Sequence, residues 1–304
     1  MGAPFRGSED YTTSITVTKK GKEKKGSLHY HQILTWLQQK PCFAANIFDY
    51  VVFEPTTGTP EHKDGKFNLS TGFKVQPTDC KEDDPDMKLV LNHLHEVIAN
   101  GNDAMYQYIL NWFAHCFQHP NRKIGTMLVL IGGQEAGKNI LLDWIGEMIY
   151  GNMYCMLSSL ETLTQRFNAY QNGKLFMVLN EIQSYGGSFR DADKLKTIIT
   201  ERERLIEPKG KEAYRLNCYE NYILISNNDW TVCVDADDRR YPCIRVSDKY
   251  RGDKPYFDRL GAVLTAGTAA KFMGLMMARN ITEWRPTAIP TTELRTDMKM
   301  MSLS

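Results

Sequence analysis

Apolar positions recur in two different rhythms along this chain, and the rhythm changes near residue 122. Upstream, Met87, Val90, Leu91, Leu94, Val97 and Ile98 repeat at helical spacing behind Asp84-Pro85, an N-cap residue followed by proline at the first helical position. Gly101 supplies the stop. Tyr106, Ile109, Leu110, Phe113 and Phe117 then mark one face of a second helix, which starts near Asp103 and ends before Pro120. Residues 83–121 therefore read as a packed helical pair, with Trp112 in its core. Residues 1–82 read as β-rich and irregular, with turn clusters at Pro55–Gly58 and Lys63–Gly65. The basic run Lys19–Lys25 within them is expected to be a solvated loop.

Beyond residue 122, short continuous apolar runs alternate with helical patterns. The runs are Met127–Ile131, Leu175–Leu179, Tyr222–Ser226 and Tyr241–Val246. Buried strands alternating with helices predict a parallel sheet, so 122–250 is the α/β core. Helix returns over 251–304 with Phe257, Leu260, Val263 and Leu264, then Phe272, Met273, Met276 and Met277. The tail after Trp284 is expected to lie extended on the surface.

Composition narrows the function. The 304 residues carry 37 Lys plus Arg against 36 Asp plus Glu, a net charge of +1, so any nucleic-acid contact must be a local patch. A hydrophobic share of 42% with 24% charged residues describes a globular protein. The absence of a long apolar run or a leader after Met1 gives an intracellular expectation with no membrane partner. Seven scattered cysteines without a CxxC pair read as free thiols. His93 and His95, like His115 and His119, are too few for a structural zinc and read as structural.

The chemistry-bearing signal is Gly132-Gly133-Gln134-Glu135-Ala136-Gly137-Lys138-Asn139, with the G-x4-G-K spacing of a phosphate loop. A buried strand precedes it and a helical pattern follows it. Glycines let backbone N–H groups approach phosphates, the helix start adds its dipole, and Lys138 adds a point charge. ATP with Mg²⁺ is the expected cofactor. Asn139 stands where Ser or Thr normally ligates the metal, so either its amide oxygen or water fills that position. About forty residues on, a strand ends in Asn180-Glu181. Glu181 is the expected catalytic carboxylate and a candidate Mg²⁺ contact, while Asn180 replaces the first acid of the usual pair. The next strand ends in Ser226-Asn227, placing Asn227 to sense the γ-phosphate. Asp237-Asp238-Arg239-Arg240 follows. One arginine is read as a finger reaching an ATP on a neighbouring subunit, the alternative being an internal salt bridge to Asp237 or Asp238. The strand-like Tyr241 beside Arg240 tips the choice towards Arg239.

In this order the motifs resemble the superfamily 3 helicases of viruses and phages, and more closely the C-terminal helicase part of poxvirus-type and phage primase-helicases. The resemblance runs through Phe67–Phe73, Asn111–Ala114, Gly132–Asn139, Arg166–Asn168, Leu179–Glu181, Leu195–Ile199, Ile206–Lys211, Ser226-Asn227, Asp238–Arg240 and the Pro290–Thr292 tail. It implies an AAA+-like core between helical segments, assembled as a hexameric ring around DNA, with Lys209 and Lys211 on a hairpin in the pore. The residues agree: Leu205-Ile206 and Ala213–Leu216 are strand-like around a turn at Pro208–Gly210. Such proteins often carry a primase or polymerase, but the first 80 residues hold no carboxylate constellation for one. That partner is expected in the same longer chain or in trans. The resulting expectation is an ATP-dependent helicase on single-stranded or forked DNA in viral or phage genome replication. A packaging ATPase, an RNA helicase, or an ATP-dependent oligomeric loader with weak hydrolysis are the alternatives, the last kept open by Asn139 and Asn180.

Overall fold

The structure, a computed structural model, describes residues 3–4, 12–19, 22–29, 50–60, 66–159, 162–163, 165, 168–180, 189–207, 209–210, 213–228, 232, 234–235 and 237–301. Glu181 and Lys211 lie outside the described residues. The chain forms two compact units, Met1–Phe53 with Glu61–Leu69, and Glu54–Pro60 with Ser70–Ser304.

In the first unit, β1 (Ala3–Pro4), β2 (Thr12–Lys19), β3 (Lys22–His29), β4 (Tyr50–Val52) and β5 (Lys66–Asn68) form two small sheets. β2 and β3 make an antiparallel hairpin in register from Thr12–His29 to Lys19–Lys22, while β4 joins β1 antiparallel and β5 parallel. Lys19 and Lys22–Lys25 therefore lie in paired strands rather than in a loop. The β-branched alternation of Thr12–Lys19 favours a strand, and pairing carries the lysines of β3 along with it.

The second unit begins with α1 (Pro85–Asn92), continued by a π-helical turn over His93–Ile98, and α2 (Asp103–Gln118). Asp84 caps α1 by accepting from Met87 N–H at 3.2 Å, and Asn102 caps α2 through Met105 N–H at 2.9 Å. The core follows in chain order as β6 (Met127–Ile131), α3 (Lys138–Ile145), β7 (Tyr154–Leu157), β8 (Phe176–Asn180), α4 (Phe189–Thr200), β9 (Glu203–Ile206), β10 (Tyr214–Asn217), β11 (Asn221–Ser226) and β12 (Cys243–Arg245). Helices α5 (Lys254–Val263), α6 (Ala266–Ala278) and α7 (Glu293–Met301) complete it. No single described helix is long and apolar enough to cross a membrane.

The expected α/β core is present as a five-stranded sheet in the order β12-β6-β11-β8-β7, every neighbouring pair parallel. β6 and β11 are buried along their whole length, which is why their sequences are continuous apolar runs rather than alternating ones. The register sets Ile131 beside Ser226 and Ile225 beside Asn180, so the C-terminal ends of β6, β11 and β8 finish together. Whatever follows those three strands must meet at one place. The edge strand β7 carried no clear sequence signal, because it is only four residues long and mostly half-buried.

The tail departs from expectation. Instead of lying extended it folds into α7, whose Leu294 and Met298 join the core under the sheet. Thr292 caps this helix by accepting from Arg295 N–H at 3.2 Å and donates to Cys243 O at 2.7 Å. Arg295 donates to Tyr241 O and Asp238 O at 3.2 and 2.6 Å. Two buried apolar side chains and these bonds outweigh the breaking effect of the prolines upstream. On the far side, Phe113 and Phe117 of α2 meet Phe272 of α6 with ring centroids 5.9 and 6.2 Å apart, and Trp112 is fully buried, as expected.

The segment before α1 runs tightly along α6, with Thr78 N–H donating to Ala270 O at 3.0 Å. A Cβ at Gly274 would fall 2.0 Å from Thr78 O, which backbone cannot yield. Gly274→Ala is thus expected to cost about 1–3 kcal/mol of stability by overpacking. Gly261→Ala, with nothing within 4 Å of the added carbon, should leave the thermal midpoint unchanged or raise it. Thermal denaturation of the two variants checks the contrast.

Candidate phosphate-loop site

β6 delivers the loop at its C-terminal end, where Gly132 N–H donates to Ser226 O at 3.2 Å. Two left-handed residues turn it, Glu135 at φ 61° and Gly137 at φ 86°, and α3 starts at Lys138. Glycine is needed at Gly137 twice over, since a Cβ there would also fall 2.8 Å from His93 Cε1 and from Phe257 Cε1. Only 6% of Lys138 is exposed. Its ammonium donates to Gly132 O at 2.6 Å, Gly133 O at 2.5 Å and Asn227 Oδ1 at 2.9 Å. These three acceptors, from described residues, can each take one hydrogen of the ammonium group, and such bonding is the condition for keeping it charged away from water.

Four of the predicted residues, Lys138, Asn139, Asn180 and Asn227, converge as the register requires. Asn227, just past the end of β11, reaches Lys138, and Asn139 Nδ2 in the first turn of α3 donates to Asn180 Oδ1 at 3.3 Å at the end of β8. The loop and the helix it opens are tied through amides to the ends of β11, next to β6, and of β8, one strand further on. Among the described residues no group of three or more His, Cys, Asp or Glu side chains is placed to hold a metal. Asn139 and Asn180 offer neutral amide oxygens, ligands suited to a hard cation but carrying no charge to it.

Further residues at the loop were not foreseen. The stretch after β12 passes over its start: a Cβ on Gly132 would sit 3.1 Å from Val246 Cβ, and one on Gly133 would sit 3.0 Å from Arg251 Nη1 and 3.2 Å from Asp248 Oδ1. Arg251 and Asp248 belong to no motif, and only the β12–β6 pairing brings them there. Behind the loop, His93 Nε2 lies 3.1 Å from Gly137 O and Nδ1 lies 2.9 Å from the Tyr256 hydroxyl.

The paired arginines separate into different environments. Arg240 makes the internal bridge, with Nη2 2.8 Å and Nε 3.0 Å from Asp238 Oδ2, and its backbone N–H donates to Asp238 Oδ1 at 2.7 Å. Asp238 is buried, whereas Arg239 is exposed. The hairpin of β9 and β10 is present in register from Glu203–Asn217 to Ile206–Tyr214, and Lys209 is exposed at its turn beside Gly210 at φ 73°. Its root is a buried charge cluster. Arg204 bonds Glu201 Oε1, Gln171 Oε1, Glu220 Oε1 and the Tyr222 hydroxyl, and Lys123 lies 3.7 Å from Glu220 Oε2. Burial holds Lys123 below the usual lysine range against the pull of Glu220. Asn168 clamps the strand, donating to Leu205 O and accepting from Glu207 N–H, both at 2.9 Å.

The glycine loop lies between a central parallel strand and a helix, with its lysine buried against the tip of the adjacent strand, in a mixed α/β fold built on a five-stranded parallel sheet. Comparison with known proteins agrees with the fold. A family model described as "Family of unknown function (DUF5906)" matches residues 130–240, from the end of β6 through Arg240. The DNA primase-polymerase of Nitratiruptor phage NrS-1 is 28% identical over 141 residues, 46% of this chain and 19% of that protein. The match thus spans about a fifth of the relative's length. Two apo structures of the NrS-1 C-terminal region superpose with a TM-score of 0.72 each, at 17% and 18% identity, covering 96% and 95% of this chain and 70% of theirs. This chain is homologous to that phage protein, and it has the fold of its C-terminal region.

Fully buried His93 and half-buried His115 give the fold a pH response. Burial lowers the pKa of His93 to about 4 despite its Gly137 contact, and lowers that of His115, 3.2 Å from Arg122 O, to about 4 as well. Both are neutral when folded, and the unfolded chain binds their protons more tightly. Their contribution is therefore present above the unfolded value near 6.5 and is lost as pH falls from there towards 4. Urea denaturation should show stability declining over that window. His115→Gln should flatten the decline by about one proton's worth of slope, about 1.4 kcal/mol per pH unit.

Proposed function

We propose that this chain is the ATP-driven motor of a phage or viral replication protein, a superfamily 3 type DNA helicase that translocates on single-stranded DNA. The observation that carries the reading is Lys138, buried at the head of α3 and bonded to Asn227 at the tip of the adjacent strand. A buried positive charge and a polar amide close to three strand ends support this reading, since transfer of a phosphoryl group calls for such groups around it. ATP would lie with its phosphates against Gly132–Asn139, and Glu181, one residue beyond β8, would orient the attacking water. Bound Mg²⁺ would neutralise phosphate charge, with Asn139 and Glu181 as the protein groups facing it. The exposed Arg239 is the finger, since Arg240 is committed to Asp238. A finger acting on a neighbour's ATP implies a homo-oligomeric ring, a hexamer in this reading, with Lys209 and Lys211 gripping DNA phosphates in its channel. Similarity to a primase-polymerase supports a replication role, with priming supplied in the same longer chain or in trans.

The Asn139–Asn180 amide pair favours one other reading, an ATP-dependent loader with weak hydrolysis, because neither residue brings charge to the metal. ATPase assays with and without forked DNA separate the two: DNA should stimulate turnover and be unwound by a motor, and do neither for a loader.

Lys138→Ala is expected to abolish nucleotide binding, and Glu181→Gln to keep binding while losing hydrolysis, as titration with a fluorescent ATP analogue and phosphate release would record. Wild-type turnover in Glu181→Gln would remove that residue from the site.

Arg239→Ala should bind ATP yet lose about 10³-fold or more in turnover. Mixing it with Lys138→Ala should restore part of the activity by regenerating intact interfaces. Full activity of a verified monomer would exclude a finger in trans.

A further inference from the structure

The carbonyl of Gly137 and the amide of Lys138 belong to one planar trans peptide, in which C=O and N–H point in opposite directions. Whatever holds the carbonyl therefore aims the N–H. His93 holds it, with Nε2 3.1 Å from Gly137 O. A carbonyl only accepts, so Nε2 carries the hydrogen, and Nδ1 is left to accept from the Tyr256 hydroxyl at 2.9 Å. One tautomer is thereby selected. The ring has little freedom to turn: it is fully buried, stacked on Tyr256 at 5.8 Å between centroids, and set edge-on against Phe257 at 6.2 Å. It also abuts the loop directly, as the 2.8 Å approach of its Cε1 to a Cβ at Gly137 shows.

We propose that His93 is a positioning residue for nucleotide binding, which fixes the Gly137–Lys138 peptide so that the Lys138 N–H faces the phosphate side of the loop. The Gly137 carbonyl selects the tautomer, and Tyr256, donating to Nδ1, holds the ring in the orientation that lets it do so. The inference rests on the phosphate-loop reading above and deepens it, because it assigns a task to the helices outside the core. His93 continues α1 and Tyr256 lies on α5, 163 residues apart in sequence, so the helical segments before and after the sheet jointly aim one donor of the cradle. A hydrogen bond to the carbonyl also polarises its peptide and strengthens the N–H as a donor to an anion. Because the ring donates while neutral, it adds no charge behind the loop to compete with Lys138.

The asymmetry of the ring supplies the test. In His93→Asn the side-chain amide falls near the Nδ1 position, keeping a partner for Tyr256 but falling short of Gly137. In His93→Gln the amide reaches the Nε2 position and can still donate to Gly137 O. Both are polar, and both shrink the buried ring. Binding of fluorescent ADP and ATP to the full chain is measured alongside thermal midpoints without nucleotide. His93→Asn should weaken both nucleotides about tenfold or more, while His93→Gln stays within about threefold of wild type. Unchanged binding in His93→Asn, or equal losses in the two variants, would overturn the assignment and leave His93 a packing residue. Should neither variant fold, Tyr256→Phe decides: it removes the donor that anchors Nδ1, lets the ring shift away from Gly137 O and should weaken binding, and wild-type affinity would overturn the proposal. Lys138→Ala keeps this apart from the underlying reading. If Lys138→Ala binds nucleotide like wild type, the phosphate-loop reading itself fails. If Lys138→Ala loses binding and His93→Asn keeps it, only the role of His93 does.

Discussion

A lysine ammonium that is almost fully buried has to be surrounded by acceptors, and much of the core is arranged around that requirement at Lys138. Two of its acceptors are carbonyls of its own loop, and the third is the amide of Asn227 on another strand. The third exists only if β6 and β11 are adjacent, parallel and in the register that ends both strands together. The continuous apolar runs that bury these strands and the polar residues that follow them are therefore parts of one constraint. Slipping the register by one residue would turn buried side chains to the other face of the sheet and carry Asn227 away from the charge.

The same logic recurs at the hairpin. Arg204 and Lys123 are both buried close to Glu220, and Gln171, Glu201 and Tyr222 complete the set around Arg204. Removing one partner from such a cluster leaves a charge unpaired in a poorly hydrated place, so the cluster resists rearrangement even where its net contribution to stability is small. Its position at the foot of β9 fastens the hairpin to β11 and leaves the turn with Lys209 free to project. In the proposed motor, rigidity at the root with an exposed cation at the tip would serve contact with a phosphate backbone.

Elements outside the sheet are not mere packing. The stretch following β12 lies over Gly132 and Gly133, α7 is pinned through Arg295 to the backbone of Asp238 and Tyr241, and Asp238 in turn holds Arg240. The C-terminal helix thus reaches the segment that presents Arg239. A chain ending before α7 would lose two core side chains and the support of that segment at once.

Those parts of the molecule that depend on local pattern are legible in the chain alone. Strand–loop–helix around Gly132–Asn139, the two capped helices before it, three of the sheet strands to within a residue, and the hairpin ending near Lys209 follow from apolar runs, caps and turn residues, whose causes lie within a few positions of each residue. Tertiary structure decided what depends on distant neighbours. It committed Arg240 to Asp238 and left Arg239 exposed, turned the expected extended tail into a helix because Leu294 and Met298 find a core to enter, and drew Lys22–Lys25 into a strand by pairing with β2. It also brought His93 to the phosphate loop. Nothing around His93 in sequence marks it, because its two partners, Gly137 and Tyr256, lie 44 and 163 residues away and meet it only once the helices have packed.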